Sequence, residues 1–236
     1  MGAMPPIEPT DESPEEWRPT WGLPGDGRPT PQRPLAGRVL VATPTIGDQR
    51  FAHAVIFMLD HDESGALGLV LNAPGTRTVD EAVPQWASWV GAPELLFAGG
   101  PVNEDQALGL VRLGPGWEPP PGPGLPGGDG TVGVGPAGIV GLLGTDGQIG
   151  LVDLSREADE LIGVAGVEEI RVFAGYAGWG PGQLDAELEV GAWWDADADG
   201  DDVFTRDPAG LWERVVARQG GTRALFARFS GDPSLN

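Results

Sequence analysis

The chain has no cysteine and no lysine, and it has only two histidines among its 236 residues. Without cysteine there is no disulfide, no thiol nucleophile and no metal site built from thiolates. Without lysine there is no Schiff base and no phosphate-binding lysine of the P-loop type, because both roles need a primary amine. His53 and His61 are too few for a three-histidine metal site. These absences predict a protein without a bound cofactor.

Long apolar runs are missing as well. No stretch of about 18 uncharged apolar residues occurs, so the sequence predicts no membrane-spanning helix. The first residues carry neither the basic nor the apolar segment of a secretory signal, and we therefore expect a cytoplasmic protein. We interpret residues 1–4, MGAM, as a cloning remnant that plays no part in the fold.

Positive charge is scarce, since 14 basic residues face 35 acidic ones and the formal net charge is −21. DNA binding depends largely on cationic groups that displace counterions from phosphates, so this balance argues against nucleic acid as a partner. The most basic stretch is 205–229, and its arginines are Arg206, Arg214, Arg218, Arg223 and Arg228. We predict a solvated helix and a strand there, whose arginines pair with acidic groups of the same protein.

Composition divides the chain into an arm and a domain. Residues 1–34 are rich in proline and acidic residues and poor in aliphatic ones, which predicts a disordered acidic arm. Residues 35–236 are then expected to form a single domain. A proline–glycine stretch at 114–130 interrupts this domain as a flexible loop.

Strand and helix patterns alternate within the domain. Residues 54–74 contain two apolar runs around an Asp-Glu-Ser-Gly turn, which predicts a hairpin covered on both faces. Thr78 and Glu81 have the spacing of a capping box for a helix over 78–90, and a last helix is predicted over 208–219. Hairpins interleaved with helices predict an α/β (α+β) fold, in which helices pack on a mixed sheet.

The segment GYAGWGPGQLDAELEVGAWW, residues 175–194, raises the question of a ligand site. It predicts the end of a buried strand, a glycine-rich turn, and a helix with Pro181 at its first position and Gly191 just past its end. Backbone N–H groups of such a turn can bind an anion at the start of the helix. The alternative, which we favour, is that the turn serves only the packing of the strand against the helix.

Four residues are candidates for contacts with a ligand at this turn. Tyr176 and Trp179 can stack on a planar group, and Gln183 can add a hydrogen bond. Asn72, at the end of the predicted hairpin, completes the set. Trp179 also fits the role of a core residue.

The acidic run DADADGDDVFTR, residues 195–206, resembles the first half of a calcium loop. The candidate ligands are Asp195, Asp197, Asp199 and Asp201. The second half departs from the pattern, because Arg206 occupies the twelfth position, where calcium needs a bidentate glutamate. A solvated acidic hairpin loop is the alternative, and we favour it.

No catalytic residue emerges from the sequence. His61 lies among Asp60, Asp62 and Glu63, a group that can bind a metal ion or relay protons, but polar residues are also what a hairpin turn requires. No serine has the Gly-x-Ser-x-Gly setting of a nucleophile.

Four segments resemble the YqgE/AlgH family of bacterial proteins: VATPTIGDQRFAHAVIFMLDHDESGALGLVLNAP, LFAGGPV, RVFAGYAGWGPGQLDAELEVGAWW and the final DPSLN. The similarity covers roughly residues 37–236 apart from the proline–glycine loop. It implies a layered α/β sandwich with mixed strands and a small inserted portion. The family's biochemistry is largely unassigned, and one branch carries the label of transcriptional regulator.

Three functions follow as hypotheses. The first is a non-enzymatic regulatory protein that acts through a protein partner or a small ligand. The second is an enzyme that uses carboxylates or a metal ion. The third is a transcriptional regulator, for which direct DNA binding is disfavoured by the acidity and by the lack of a helix-turn-helix pattern.

Overall fold

The computed structural model of the chain describes residues 35–114, 139–143, 149–152, 154–155, 158 and 166–227. The predicted disordered arm, residues 115–130 of the predicted loop, and Arg228 lie outside the described residues.

Ten strands form one mixed sheet within the described part of the chain. They are β1 (Arg38–Ala42), β2 (Val55–Asp62), β3 (Gly65–Val70), β4 (Pro74–Thr78), β5 (Leu95–Ala98), β6 (Val102–Leu113), β7 (Ile139–Leu143), β8 (Ile149–Val152), β9 (Val167–Trp179) and β10 (Trp193–Asp197). The order across the sheet is β10-β1-β2-β3-β9-β6-β8-β7, and β5 joins both β4 and β9. The pair of β5 with β9 is parallel, and the other strand pairs are antiparallel. The prediction of a mixed sheet with a hairpin over 54–74 is confirmed.

Short helices connect and cover the strands. They are α1 (Val79–Ala82), α2 (Gln183–Glu189), α3 (Gly200–Val203), α4 (Leu211–Arg218) and α5 (Arg223–Phe226), with 3-10 turns at Gln49–Phe51 and Pro84–Trp89. The predicted capping box is present, since the Thr78 N–H donates to the Glu81 carboxylate at 3.1 Å. Within the helix predicted over 78–90, Pro84 is expected either to kink the helix or to restart it, and the structure shows a restart: α1 ends at Ala82 and a 3-10 turn begins at Pro84. Among the described residues, no helix is long and apolar enough to cross a membrane.

Apolar side chains cover both faces of the sheet. One face carries a continuous core in which Leu211, Trp212, Val215 and Val216 of α4 pack over the strands. The opposite face carries two separate cores. Helix α2 covers the half built by β10, β1, β2 and β3, and α1 with the Pro84–Trp89 turn covers the half around β6, β8 and β9. We refer to these two faces as the α4 face and the α2 face.

Strand β9 extends further than the sequence predicts. The sequence predicts a buried strand over 169–177 that leads into a glycine-rich turn, whereas β9 continues without a break to Trp179. Gly175 has a φ of +66°, and a Cβ there would lie 2.6 Å from the Gly100 carbonyl oxygen, so only glycine fits where the neighbour of β9 changes from β5 to β3. The N-cap of α2 is Gly182, so Pro181 precedes the helix rather than beginning it. Gly191 has a φ of +77° just past the helix end, as predicted.

Arg171 of β9 is buried beneath α3 and α4. Its guanidinium donates to three backbone carbonyls, those of Val203 at 3.1 Å, Ala92 at 3.1 Å and Thr205 at 2.7 Å, and it lies 4.6 Å from the Phe97 ring centroid. Burial lowers the pKa of Arg171 to about 10, which leaves the group charged at neutral pH. The side chain therefore ties the central strand to two connecting segments through charge-assisted hydrogen bonds.

We expect Arg171→Met to lower the free energy of unfolding by about 2–4 kcal/mol, because it leaves three carbonyls without their donor. Urea denaturation measures the change. Arg50→Met is the control, since Arg50 is exposed and pairs only with its neighbour Asp48 among described residues, and its unfolding midpoint should not move. Equal stability of Arg171→Met and the wild type would contradict this role.

Candidate functional site

A cavity of about 460 Å³ opens at the β10 edge of the sheet, next to α2. Two indole rings, Trp193 and Trp194, and two aliphatic side chains, Leu35 and Leu188, form its apolar walls. The polar groups that line it are His61, Asp185, Asp195 and Arg223. We call this space the His61 cavity.

A β-bulge in β2 places His61 on the α2 face. Met58 is opposite Gly68 of β3, but Asp60 is opposite Leu67, so the register shifts by one residue between them. Residues directly opposite each other point to the same side of a sheet. His61, opposite Ala66, therefore shares the face of Met58, whereas Asp60 points to the α4 face.

His61 is buried and only one of its ring nitrogens has a partner. Its Nε2 lies 3.5 Å from Oδ1 of Asp185, a residue of α2. Its Nδ1 is buried and has no hydrogen-bond partner. Among the buried side-chain polar atoms of the described residues, this is so only of His61 Nδ1 and Arg38 Nε. Because Nε2 faces a carboxylate, we assign a proton to Nε2, so that in the neutral ring Nδ1 is an acceptor without a donor.

Glu187 holds the walls of the cavity in place. Its Oε2 accepts hydrogen bonds from the indole nitrogens of Trp179 at 2.9 Å and Trp193 at 2.7 Å. Its Oε1 accepts from Nε2 of Gln183 at 2.9 Å. These bonds connect α2 to β9 and β10, and they fix the helix that carries Asp185 next to His61.

The four carboxylates proposed as metal ligands do not share a centre. Asp195 and Asp197 both pair with Arg38 of β1, Asp195 at 3.0 Å. Asp199 caps α3 by accepting from the Asp201 N–H at 3.0 Å, and the Asp201 carboxylate is 3.2 Å from Arg112. The segment is thus the end of β10 followed by a helix, not the predicted hairpin loop, because Asp199 and Asp202 form a capping box. No group of three or more His, Asp or Glu side chains in the described ranges is arranged to hold a metal ion.

The structure brings together some of the four residues predicted to contact a ligand. Tyr176 and Trp179 both line a second cavity of about 400 Å³, together with Asp60 and Asp62. Trp179 also donates to Glu187, which accepts from Gln183 as well. Asn72 lies apart from them at the start of β2, where it accepts from the Val55 N–H at 2.9 Å and donates to the His53 carbonyl at 2.8 Å.

A larger cleft of about 720 Å³ lies near α3 and α4, and its lining includes Arg112, Arg206 and Arg214. Nε of Arg112 donates to Glu169 at 2.8 Å, and Nη1 of Arg214 donates to Asp207 at 2.9 Å. Two of the three guanidinium groups of this cleft are therefore already paired with acidic side chains.

Exposed apolar side chains border the His61 cavity. The large hydrophobic residues that are exposed in the described part of the chain are Val190, Leu225 and Phe226. Val190 precedes Gly191 at the cavity wall, and the Phe226 ring lies 5.5 Å from that of Trp194. Two exposed apolar side chains, Val190 and Phe226, thus lie close to residues that line the cavity.

Sequence reasoning missed the role of His61. The histidine was expected in a polar turn with its neighbours Asp60 and Asp62, but it lies in a strand and its partner Asp185 is distant in sequence. His61 lies between Asp60 and Asp62 at the polar end of β2, and this local sequence is equally typical of a turn. The bulge that decides its direction leaves no recognisable pattern in the sequence.

We expect Glu187→Ala to lower the free energy of unfolding by about 1–3 kcal/mol, because two partly buried indole N–H groups lose a charged acceptor. In two-dimensional NMR, the indole N–H signals of Trp179 and Trp193 should both shift. Glu189→Ala, an exposed change on the same helix, is the control and should move neither signal. Unchanged indole signals in Glu187→Ala would show that Glu187 does not hold these walls.

The cavity lined by Tyr176 and Asp60 contains a carboxylate whose effect on stability depends on pH. Burial raises the pKa of Asp60, and the nearby Asp62 carboxylate raises it further. The folded state therefore disfavours the ionised form of Asp60, which destabilises the protein at pH values above the folded pKa. We expect Asp60→Asn to raise the free energy of unfolding at pH 7, with a gain that shrinks as the pH falls to where Asp60 is protonated in both states.

Urea denaturation over a range of pH measures this gain. Asp105→Asn, which removes an exposed carboxylate of β6, is the matched control and should show no such pH-dependent gain. Lower stability of Asp60→Asn at pH 7 would mean that its charge stabilises the fold.

The chain is similar to known proteins in both sequence and structure. The sequence profile described as AlgH-like matches residues 39–224. A UPF0301 protein of Streptomyces coelicolor is 43% identical over 202 residues, which cover 86% of this chain and 95% of that protein. A UPF0301 protein of Mycobacterium tuberculosis is 36% identical over 208 residues, covering 88% and 94%.

Two solved structures share the fold. A crystal structure of a Corynebacterium diphtheriae protein superposes with a TM-score of 0.69 at 29% identity, covering 83% of this chain and 92% of that one. The solution structure of the AlgH protein of Pseudomonas aeruginosa superposes with a TM-score of 0.53 at 26% identity, covering 83% and 94%. With a profile match over most of its length and relatives this similar, the chain belongs to the AlgH-like family of bacterial proteins.

Proposed function

We propose that this protein is a non-enzymatic regulatory protein that binds a small ligand in the His61 cavity. The observation that carries this proposal is that His61 lines the cavity and that its buried Nδ1 has no hydrogen-bond partner. A buried polar atom without a partner costs about 1–3 kcal/mol, and a bound hydrogen-bond donor would remove that cost. The proposed setting is the cytoplasm, where small metabolites reach the cavity.

The size and chemistry of the cavity support this role. Its volume of about 460 Å³ falls in the usual range of small-molecule sites, and such sites combine apolar walls with a few polar groups. Trp193 and Trp194 supply the walls, and His61 and Asp185 supply the polar groups. The exposed residues Val190 and Phe226 next to the cavity fit a partner that senses whether the cavity is occupied.

Proton-transfer catalysis is the second candidate, and the pairing of His61 with Asp185 favours it. A carboxylate that orients an imidazole is a common arrangement for a general base. Turnover of a substrate that is lost in both His61→Gln and Asp185→Asn would favour this enzyme over a binding protein.

Direct DNA binding has less support. Two arginines of the basic stretch are paired with carboxylates, Arg214 with Asp207 and Arg218 with Asp202. Arg223 lies over the ring of Trp194. These contacts use charge that a DNA-binding face would present to phosphates.

Equilibrium dialysis of the protein against a bacterial metabolite extract, followed by mass spectrometry of the retained compounds, tests the binding role. We expect at least one compound to be enriched by the wild type and not by His61→Phe, which removes both ring nitrogens while keeping the ring volume. Asp60→Asn is the control, because Asp60 is on the opposite face, and it should retain the same compound. If every retained compound is also held by His61→Phe, this function is wrong.

A further inference from the structure

We infer that the ligand of the His61 cavity is an organic cation, a protonated amine or guanidine attached to an apolar group. This inference rests on the proposed function and adds the chemical class of the ligand. Three features support it. They are the acceptor groups of the cavity that lack a donor, its aromatic walls, and Arg223, whose guanidinium lies over the Trp194 ring.

The open polar groups are acceptors. The Nδ1 of His61 is an acceptor when Nε2 carries the proton that faces Asp185. The side chain of Asp185 is 56% exposed, and His61 is its only ion-pair partner among the described residues. A carboxylate is solely an acceptor when it is ionised. The exposed carboxylate of Asp185 therefore favours a ligand that brings N–H donors and a positive charge, which an ammonium or guanidinium group supplies.

The other carboxylate of the cavity is already matched. Asp195 lies 3.0 Å from the guanidinium of Arg38, so its charge is balanced from within the protein. Asp185 has only the imidazole of His61 beside it. Arg223, the cation that lines the cavity, lies over the Trp194 ring and is not an ion-pair partner of Asp185 among the described residues. The charge where His61 and Asp185 meet is therefore negative, and an anionic ligand would be repelled there.

The aromatic walls suit a cation as well. The guanidinium carbon of Arg223 lies 5.5 Å from the ring centroid of Trp194, within the distance at which a cation is attracted to an indole face. Arg223 stands on the short helix α5 and lines the same cavity. It shows that this wall accepts a positive group, and it would compete with a cationic ligand for the wall.

Binding of three probes with the same phenyl group tests the class. The probes are 2-phenylethylamine, 2-phenylethanol and 3-phenylpropionate, which are cationic, neutral and anionic at pH 7. Each is titrated into the full-length protein while the indole N–H signals of Trp193 and Trp194 are followed by two-dimensional NMR. We expect the amine to shift both signals with a saturable curve, and the alcohol and the acid to bind at least tenfold more weakly.

Two variants and one control sharpen the result. Asp185→Asn should weaken amine binding about tenfold or more, a loss of about 1.4 kcal/mol. Asp201→Asn removes the same charge from an exposed position on α3 and should leave binding unchanged. Arg223→Gln should bind the amine several-fold more tightly, because it removes a competing cation. Spectra of the free variants establish that each one is folded.

Several results would overturn the inference. If the alcohol or the acid binds as well as the amine, the ligand class is wrong, although a cavity that binds ligands would remain. Weaker amine binding in Arg223→Gln would assign the guanidinium to the ligand and reverse the charge of the proposed class. If no probe binds up to millimolar concentration, the class is also wrong, and the dialysis experiment then decides separately whether the binding function survives.

Discussion

The one-residue shift in the pairing of β2 with β3 is the constraint on which the candidate site depends. In a regular strand, His61 would point to the same side as Phe57 and Leu59, into the core under α4. With the bulge between Met58 and Asp60, it points to the α2 face, where Asp185 lies. Bulges often redirect side chains next to functional sites. The same shift sends Asp60 to the opposite face, where burial raises its pKa.

Hydrogen bonds elsewhere in the fold hold α2 and the strands around His61 in place. Glu187 joins α2 to two strands through the indole groups of Trp179 and Trp193. On the other face, Arg171 links the central strand to the backbone around α3, and Trp212 of α4 donates to the Ala42 carbonyl at 2.8 Å. Each of these buried polar groups is satisfied. Among the described residues, Nδ1 of His61 and Nε of Arg38 are the buried side-chain polar atoms without a partner. Because His61 also lines a cavity, we assign it a function.

More of the fold than of the candidate site could be predicted from the sequence. Alternating apolar runs and a capping box at Thr78 identified the hairpin and α1, because these signals are local. The extent of β9 was not predictable, since the glycines of residues 175–180 are typical of a turn and the strand is imposed by its neighbours β3 and β6. The site was missed for a related reason. His61 and Asp185 are 124 positions apart, and only the tertiary structure brings them together.

The acidic run at 195–201 is a case in which the local sequence suggested a site that the long-range contacts do not support. Its spacing resembles a calcium loop, but the arginines that face it, Arg38 and Arg112, come from β1 and β6. A cation at these carboxylates would have to displace guanidinium groups that are already hydrogen-bonded to them. Local spacing therefore gave a hypothesis about a metal, while long-range ion pairs determine what these carboxylates contact in the folded chain.

The central claim is that Nδ1 of His61 is an open acceptor that a ligand satisfies. Long-range proton–nitrogen NMR of the two imidazole rings tests it directly, and His53→Gln identifies the ring of His61. We predict that at neutral pH the free protein has its proton on Nε2 and an Nδ1 without a hydrogen bond. Addition of 2-phenylethylamine should move the Nδ1 resonance in the direction of an accepted hydrogen bond. A protonated or already hydrogen-bonded Nδ1 in the free protein would contradict the account.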